Sequence, residues 1–237
     1  MKRKVVKYVP QSAESFILER MKREKGDGYI KKGTFTNEIV WGKYAFIVPR
    51  MTKKKQLAFK RGMFLFGMVR ADAKRFLNKE ADISLPKKHP QILYANNISE
   101  DRLENVTGTD LNHAYWRIAY NLGVISQKTY EKGLNDDFKS VRLAALSTLG
   151  SPKKYQRIKE GEIIRDFYTE PGDESLQKVY TLIRYTCYRY MTQVKRLLKN
   201  DFVAYKTDAI YYVDNKENRK LVKCFFTEKG LTMKQLV

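Results

Sequence analysis

The spacing of apolar and polar positions changes period several times along the chain, and each change marks an element. Between Ala13 and Lys25, Phe16, Ile17 and Met21 recur at helical spacing, and Gly26-Asp27-Gly28 breaks the run. From Glu38 to Pro49 the residues Ile39, Val40, Trp41, Tyr44, Phe46, Ile47 and Val48 are β-branched or aromatic enough to predict a strand. Beyond Lys53-Lys54-Lys55, the stripe Met63, Phe66, Val69, Ala73 and Leu77 predicts a helix from Gly62 to Leu77, packed into a core. Residues 80–107 read as loop, because Pro86, Lys87-Lys88 and Pro90 interrupt two short apolar runs. A soft boundary there separates an N-terminal region, 1–104, from a second region, 105–237.

The second region is patterned more sharply. Val106 to Leu111 predicts a strand running into a turn, and Ala114 to Leu122 a helix with Asn112 as its N-cap. Ser126 to Lys132 is a short helix ended by Gly133. Asp136-Asp137 suits the start of another that runs to Leu149 and stops at Gly150-Ser151-Pro152. Between Glu174 and Asn200, Leu176, Tyr180, Ile183, Cys187, Met191, Val194 and Leu198 fall at steps of four and three, so one face of a long helix is buried. Phe202 to Val213 is one strand, or a tight hairpin bent at Lys206-Thr207-Asp208. A turn at 214–218 and a partner strand from Leu221 to Phe226 follow. The order of strand, helices, long helix and strand pair is that of an α+β fold.

Charge narrows the partners. The 237 residues hold 47 Lys plus Arg against 26 Asp plus Glu, a net charge of +21. Residues 1–75 alone carry 20 basic and 6 acidic side chains, so two thirds of the excess lies in the first third. Such a field attracts polyanions and makes their binding salt-dependent. Lys53, Lys54, Lys55, Lys60 and Arg61 are the expected contacts to a phosphate backbone, with Lys206 as a further candidate. Membrane insertion is disfavoured, because the longest apolar run, Gly62 to Val69, is far below the ~20 residues of a spanning helix. The N-terminal Met1-Lys2-Arg3-Lys4 leads into polar sequence without an apolar stretch of signal-peptide length.

Two cysteines, Cys187 and Cys224, suit a reducing compartment, and with His89 and His113 they make no zinc-ligand spacing. Asp110 and Asp208 are the candidates for chemistry. Each lies beside strongly β-forming sequence and a turn, so two paired strands would bring them together. Alone, either is an ordinary turn or cap residue. Together, two ionised carboxylates repel one another, and a divalent cation is the natural counter-charge.

Three segments carry a family resemblance. They are Asp110-Leu111-Asn112-His113-Ala114-Tyr115-Trp116, then Arg142-Leu143-Ala144-Ala145-Leu146-Ser147-Thr148-Leu149-Gly150, then Tyr205-Lys206-Thr207-Asp208-Ala209. In this order they resemble the three palm blocks of family-B DNA polymerases, which read D-x-x-S-L-Y-P, K-x-x-x-N-S-x-Y-G and Y-G-D-T-D-S. Leu146 and Leu149 stand where the family has Asn and Tyr. The third block is one residue short, or has Lys206 in place of its first Asp. The resemblance covers about Asn105 to Val213.

The resemblance implies a palm-like antiparallel sheet flanked by helices, beside a basic mixed α/β N-terminal region. It implies that Asp110 and Asp208 are catalytic and bind Mg²⁺ or Mn²⁺, with the Leu111 carbonyl assisting. Arg142 would hold the nucleoside triphosphate, Lys139 would reach the same phosphates from one helical turn earlier, and Tyr115 would lie under the sugar. The implied partners are template-primer DNA, deoxynucleoside triphosphate and a further subunit supplying a thumb or a priming function. The implied setting is cytoplasmic, the host cytoplasm for a phage-encoded chain. No Asp-x-Glu triplet occurs, so no proofreading exonuclease signature is present. A polymerase-derived nucleic-acid-binding or assembly protein without chemistry is the alternative expectation.

Overall fold

A computed structural model describes residues 5–33, 36–50, 57, 60–80, 83–85, 93–95 and 105–236. Lys53, Lys54 and Lys55, and most of the expected loop at 80–107, lie outside the described residues. The chain is a mixed α/β protein with antiparallel-rich sheets, divided into two compact units that are not consecutive stretches of sequence. One unit comprises 1–64 and 147–177, the other 65–146 and 178–237. The reading along the sequence cut once, at 104/105.

The first unit is built on a six-stranded sheet. Strands β1 (Val5–Tyr8), β2 (Gly28–Lys32), β3 (Thr36–Trp41), β4 (Tyr44–Pro49), β7 (Lys153–Lys159) and β8 (Glu162–Glu170) lie in the order β1-β4-β3-β2-β7-β8. Only the β1/β4 pair is parallel. Helix α1 (Ala13–Arg23) buries Ile17 and Met21 in a core with Ile30, Ile39, Val48 and Ile158. Phe16, one step off that stripe, is exposed.

Two differences from the sequence reading lie in this unit. The expected single strand 38–49 is a hairpin, because Gly42 adopts φ +56°, a conformation that turns the chain with no Cβ penalty. The hairpin β7–β8 was not anticipated. Its flanks are dense in Lys, Arg and Glu, which conceals the period of two, and Glu160-Gly161 turns with φ of +50° and +80°.

The second unit holds a five-stranded sheet in which every pairing is antiparallel. Its strands are β5 (Leu93–Ala95), β6 (Val106–Leu111), β9 (Phe202–Lys206), β10 (Ala209–Val213) and β11 (Met233–Leu236), in the order β11-β6-β10-β9-β5. Its helices are α2 (Phe64–Lys79), α3 (Ala114–Asn121), α4 (Gln127–Gly133), α5 (Lys139–Ser147), α6 (Glu174–Leu198) and α7 (Lys216–Glu228), of which α2, α5 and α6 extend past the limits of the unit. Buried Asp72 of α2 accepts hydrogen bonds from the Ser126 amide and hydroxyl, both 2.9 Å, and so fixes the start of α4. The indole of Trp116 on α3 donates to the Tyr130 carbonyl at 3.1 Å, locking α3 to α4.

Here too the sequence reading needs correction. Leu221 to Phe226 is helical. Asn215 caps α7 by accepting from the Asn218 amide at 2.7 Å, and Asn218, Val222 and Phe226, four apart, form its buried face. The N-cap of α3 is His113 rather than Asn112; it sits at φ +54° and makes no side-chain cap. Asp136–Phe138 form a 3-10 turn ahead of α5, and α5 ends at Ser147, two residues before Leu149.

Candidate active site

Asp110 and Asp208 are brought together by strand register. In the β6/β10 ladder Asp110 faces Ala209, so Asp208, one residue earlier, lies at the same end of the sheet. Thr207-Asp208 is the two-residue link between β9 and β10, with Thr207 at φ +60°. The Leu111 amide donates to the Asp208 carbonyl at 3.0 Å, tying the turn to the strand that carries Asp110. Burial, then the charge of Asp110, holds the Asp208 carboxyl above the usual carboxylate range; its own backbone hydrogen bond, Lys139 and Lys234 oppose the rise.

A third side chain enters from the other flank of β6. In the β11 register Lys234 faces Asp110, and its Nζ lies 3.2 Å from Asp110 Oδ2. The two aspartates, Lys139 and Lys234 line one cleft of about 130 Å³, with Leu111, His113, Tyr115 and Arg142 among the other lining residues. That volume is well below the ~300 Å³ of an enclosing small-molecule pocket. Anything as large as a nucleotide lies across the cleft with most of its body outside.

Tyr115 projects from the first turn of α3, and its hydroxyl lies 2.9 Å from that of Tyr188 on α6. Burial and this hydrogen bond push the Tyr115 phenol far above its ordinary pKa, so it stays protonated. The Arg184 guanidinium lies 5.8 Å from the Tyr188 ring centre and 5.7 Å from that of Tyr180, a cation over two aromatic faces.

Arg142 is only 2% exposed. Its Nη1 donates to the carbonyls of Gly133 and of Asn135 (3.1 Å for the latter), and its Nη2 donates to His113 Nδ1 at 2.9 Å. Burial lowers its pKa, and His113 in turn is held below its ordinary value by burial first and by Arg142 second. The guanidinium reaches the cleft wall, yet its hydrogen bonds pin the α4–α5 link and the left-handed His113 turn. Lys139, also on the wall, is exposed.

The remaining candidates are placed as follows. Leu111 is buried beneath the cleft. Lys206 ends β9, is exposed, and is not among the residues lining the cleft. Lys60 and Arg61 are exposed in the first unit, Lys60 lying 5.7 Å from the Tyr8 ring centre. Leu146 is buried and lines the cleft where a polar residue stands in the family pattern. Sequence reasoning missed Lys234, because Met233-Lys234-Gln235-Leu236 is too short to announce itself as a strand. It also missed Tyr188, whose signal is its spacing of four from Arg184 and eight from Tyr180.

Among the described residues no cluster of three or more His, Cys, Asp or Glu is set to hold a metal; Asp110 and Asp208 stand as a pair. None of the helices described is long and apolar enough to cross a membrane. Comparison of the chain with protein-family models, with curated proteins and with solved structures gives no match.

Proposed function

We propose that the chain is a minimal nucleotidyltransferase of the family-B DNA polymerase kind, its five-stranded sheet serving as the palm, which adds deoxynucleotides to a 3′-hydroxyl without proofreading. The observation that carries this reading is the adjacency of Asp110 and Asp208 across the β6/β10 ladder, 98 residues apart in sequence. The donor set suits Mg²⁺ or Mn²⁺: two hard carboxylates, one held above its ordinary pKa by burial and by the other. When bound there, such a cation supplies Lewis-acid polarisation of a phosphoryl oxygen and neutralises the developing charge.

The chain's own residues do the rest. Lys139 presents an exposed cation to the phosphates. Tyr115, its hydroxyl hydrogen-bonded to that of Tyr188, offers a rigid ring to the sugar. Arg142 keeps His113 and the α4–α5 link in place, so the cleft is pre-shaped. Template-primer DNA and deoxynucleoside triphosphate are the proposed substrates, and a further subunit the proposed source of a thumb or priming function.

A second reading, a polymerase-derived nucleic-acid-binding protein without chemistry, is favoured by one observation: Lys234 already occupies Asp110 at 3.2 Å. Primer extension with Mg²⁺ and with Mn²⁺ separates the two. The first reading expects incorporation that Asp208→Asn abolishes; incorporation surviving that change would sink the assignment, and none with either cation would favour the second. Asp208→Asn also has a readout independent of activity. A carboxyl whose folded pKa is raised costs stability above the carboxylate range, so the variant should melt higher at neutral pH, with the gain vanishing as pH falls into that range.

A further inference from the structure

The face of the six-stranded sheet opposite α1 carries a row of tyrosines. Residues directly across a ladder share a face. The pairs Lys31↔Tyr155, Tyr29↔Arg157, Tyr155↔Tyr168 and Lys153↔Glu170 therefore set Tyr29, Tyr155 and Tyr168 side by side with Lys31, Lys153 and Arg157, opposite the core residue Ile30. The rings of Tyr155 and Tyr168 are 6.1 Å apart and inclined by 36°, while Tyr29 meets Tyr155 edge-on at 5.4 Å and 81°. Tyr29 thus meets the edge of half-buried Tyr155, and Tyr168 is the exposed ring of the row.

The platform is anchored. The Tyr155 hydroxyl donates to Glu170 at 2.7 Å, Lys153 lies 3.3 Å from the same carboxylate, and Lys31 lies 3.7 Å from Glu38. Tyr168 at the outer edge is 63% exposed, unusual for so large a ring in a sheet face. The compact unit that carries it has 22 basic and 11 acidic residues.

From these features we infer that the Tyr155–Tyr168 face binds single-stranded nucleic acid, its bases stacking on the two rings and its phosphates running past Arg157 and Lys153. Duplex is the poorer fit, because stacking of successive base pairs already covers the base faces that the rings would meet. The charge excess of the unit complements a polyanion, whereas an acidic peptide has no regular series of aromatic faces to match the row. The site shares no residue with the aspartate cleft, which belongs to the other unit, and needs neither metal nor nucleoside triphosphate, so it stands or falls independently of transfer chemistry.

The test is fluorescence anisotropy of the full chain with labelled oligothymidine and oligouridine, in EDTA at fixed salt. Tyr168→Ala should weaken binding about 5- to 10-fold, the low end of what one stacked base contributes. Tyr168→Phe should bind as the wild type does, since the ring is kept. EDTA excludes divalent-cation-dependent binding at the cleft, which distinguishes this surface from it. Whichever oligonucleotide shows the larger Tyr168 dependence identifies the strand as DNA-like or RNA-like. Equal affinities for wild type and Tyr168→Ala, or tighter binding of an acidic peptide than of either oligonucleotide, would overturn the inference. Because Tyr168 is exposed, the Ala variant should fold, and an unchanged melting temperature verifies it.

Discussion

Replacing Arg142 with Lys separates two roles that the motif alone confuses. As a triphosphate clamp, Arg142 would tolerate Lys with unchanged folding and weaker nucleotide binding. As the buried strut seen here it would not. Its guanidinium serves three acceptors at once, the Gly133 carbonyl, the Asn135 carbonyl and His113 Nδ1. A lysine ammonium has its donors on one nitrogen; near the place of Nη1 it keeps at best the two carbonyls and loses His113 Nδ1, which Nη2 serves. The one hydrogen bond from a charged donor that is lost in every case gives a destabilisation of about 1.5–3 kcal/mol.

For a chain of this length such a loss lowers the melting temperature by roughly 3–12 °C, at about 2–4 °C per kcal/mol. Urea denaturation and thermal melting of wild type and Arg142→Lys, alongside nucleotide binding, are the assay. A melting temperature within a degree of wild type, with nucleotide affinity reduced, would refute the strut and restore the clamp.

Three further outcomes are expected. Gly133→Ala would drive a Cβ into the Trp116 ring at the wall between α3 and α4, costing about 1–3 kcal/mol in denaturant unfolding. His113 has a folded pKa below its ordinary value, so the unfolded chain binds the extra proton. Stability should therefore be complete above pH ~6.5 and fall as pH drops below it, a slope that a pH series of melts should show reduced in His113→Gln. Lys234→Met removes the cation that sits on Asp110; the Mn²⁺ concentration giving half the maximal thermal shift should then fall several-fold, and an unchanged value would mean that Lys234 does not compete for Asp110.

Much of the second unit was legible because its signals are local. The strand at Val106–Leu111, the helices after it, the long apolar stripe from Leu176 to Leu198 and the bend at Lys206-Thr207-Asp208 are each written in neighbouring residues. The closeness of Asp110 and Asp208 followed from one inference, that two β-forming runs beside turns pair with each other. What escaped was written elsewhere. Lys234 meets Asp110 only through the register of a four-residue strand. The burial of Arg142 and its hydrogen bonds to Gly133, Asn135 and His113 escaped too, because a motif records residue type and not burial. Leu221 to Phe226 looked like a strand because its apolar residues outweighed the Asn215 cap, which is visible only with the Asn218 amide in place.

The interior position of β6, between β11 and β10, has a consequence for how the protein comes to exist. Its neighbours β10 and β11 lie about a hundred residues or more further along the chain, so β6 emerges during synthesis without the partners that satisfy its backbone. Closing a sheet over such separations is slow compared with forming the intervening helices. The aspartate pair is therefore absent from any nascent chain that stops before Phe202. If the cation binding proposed above is present, its recovery during refolding would report the last stage of folding rather than an early one.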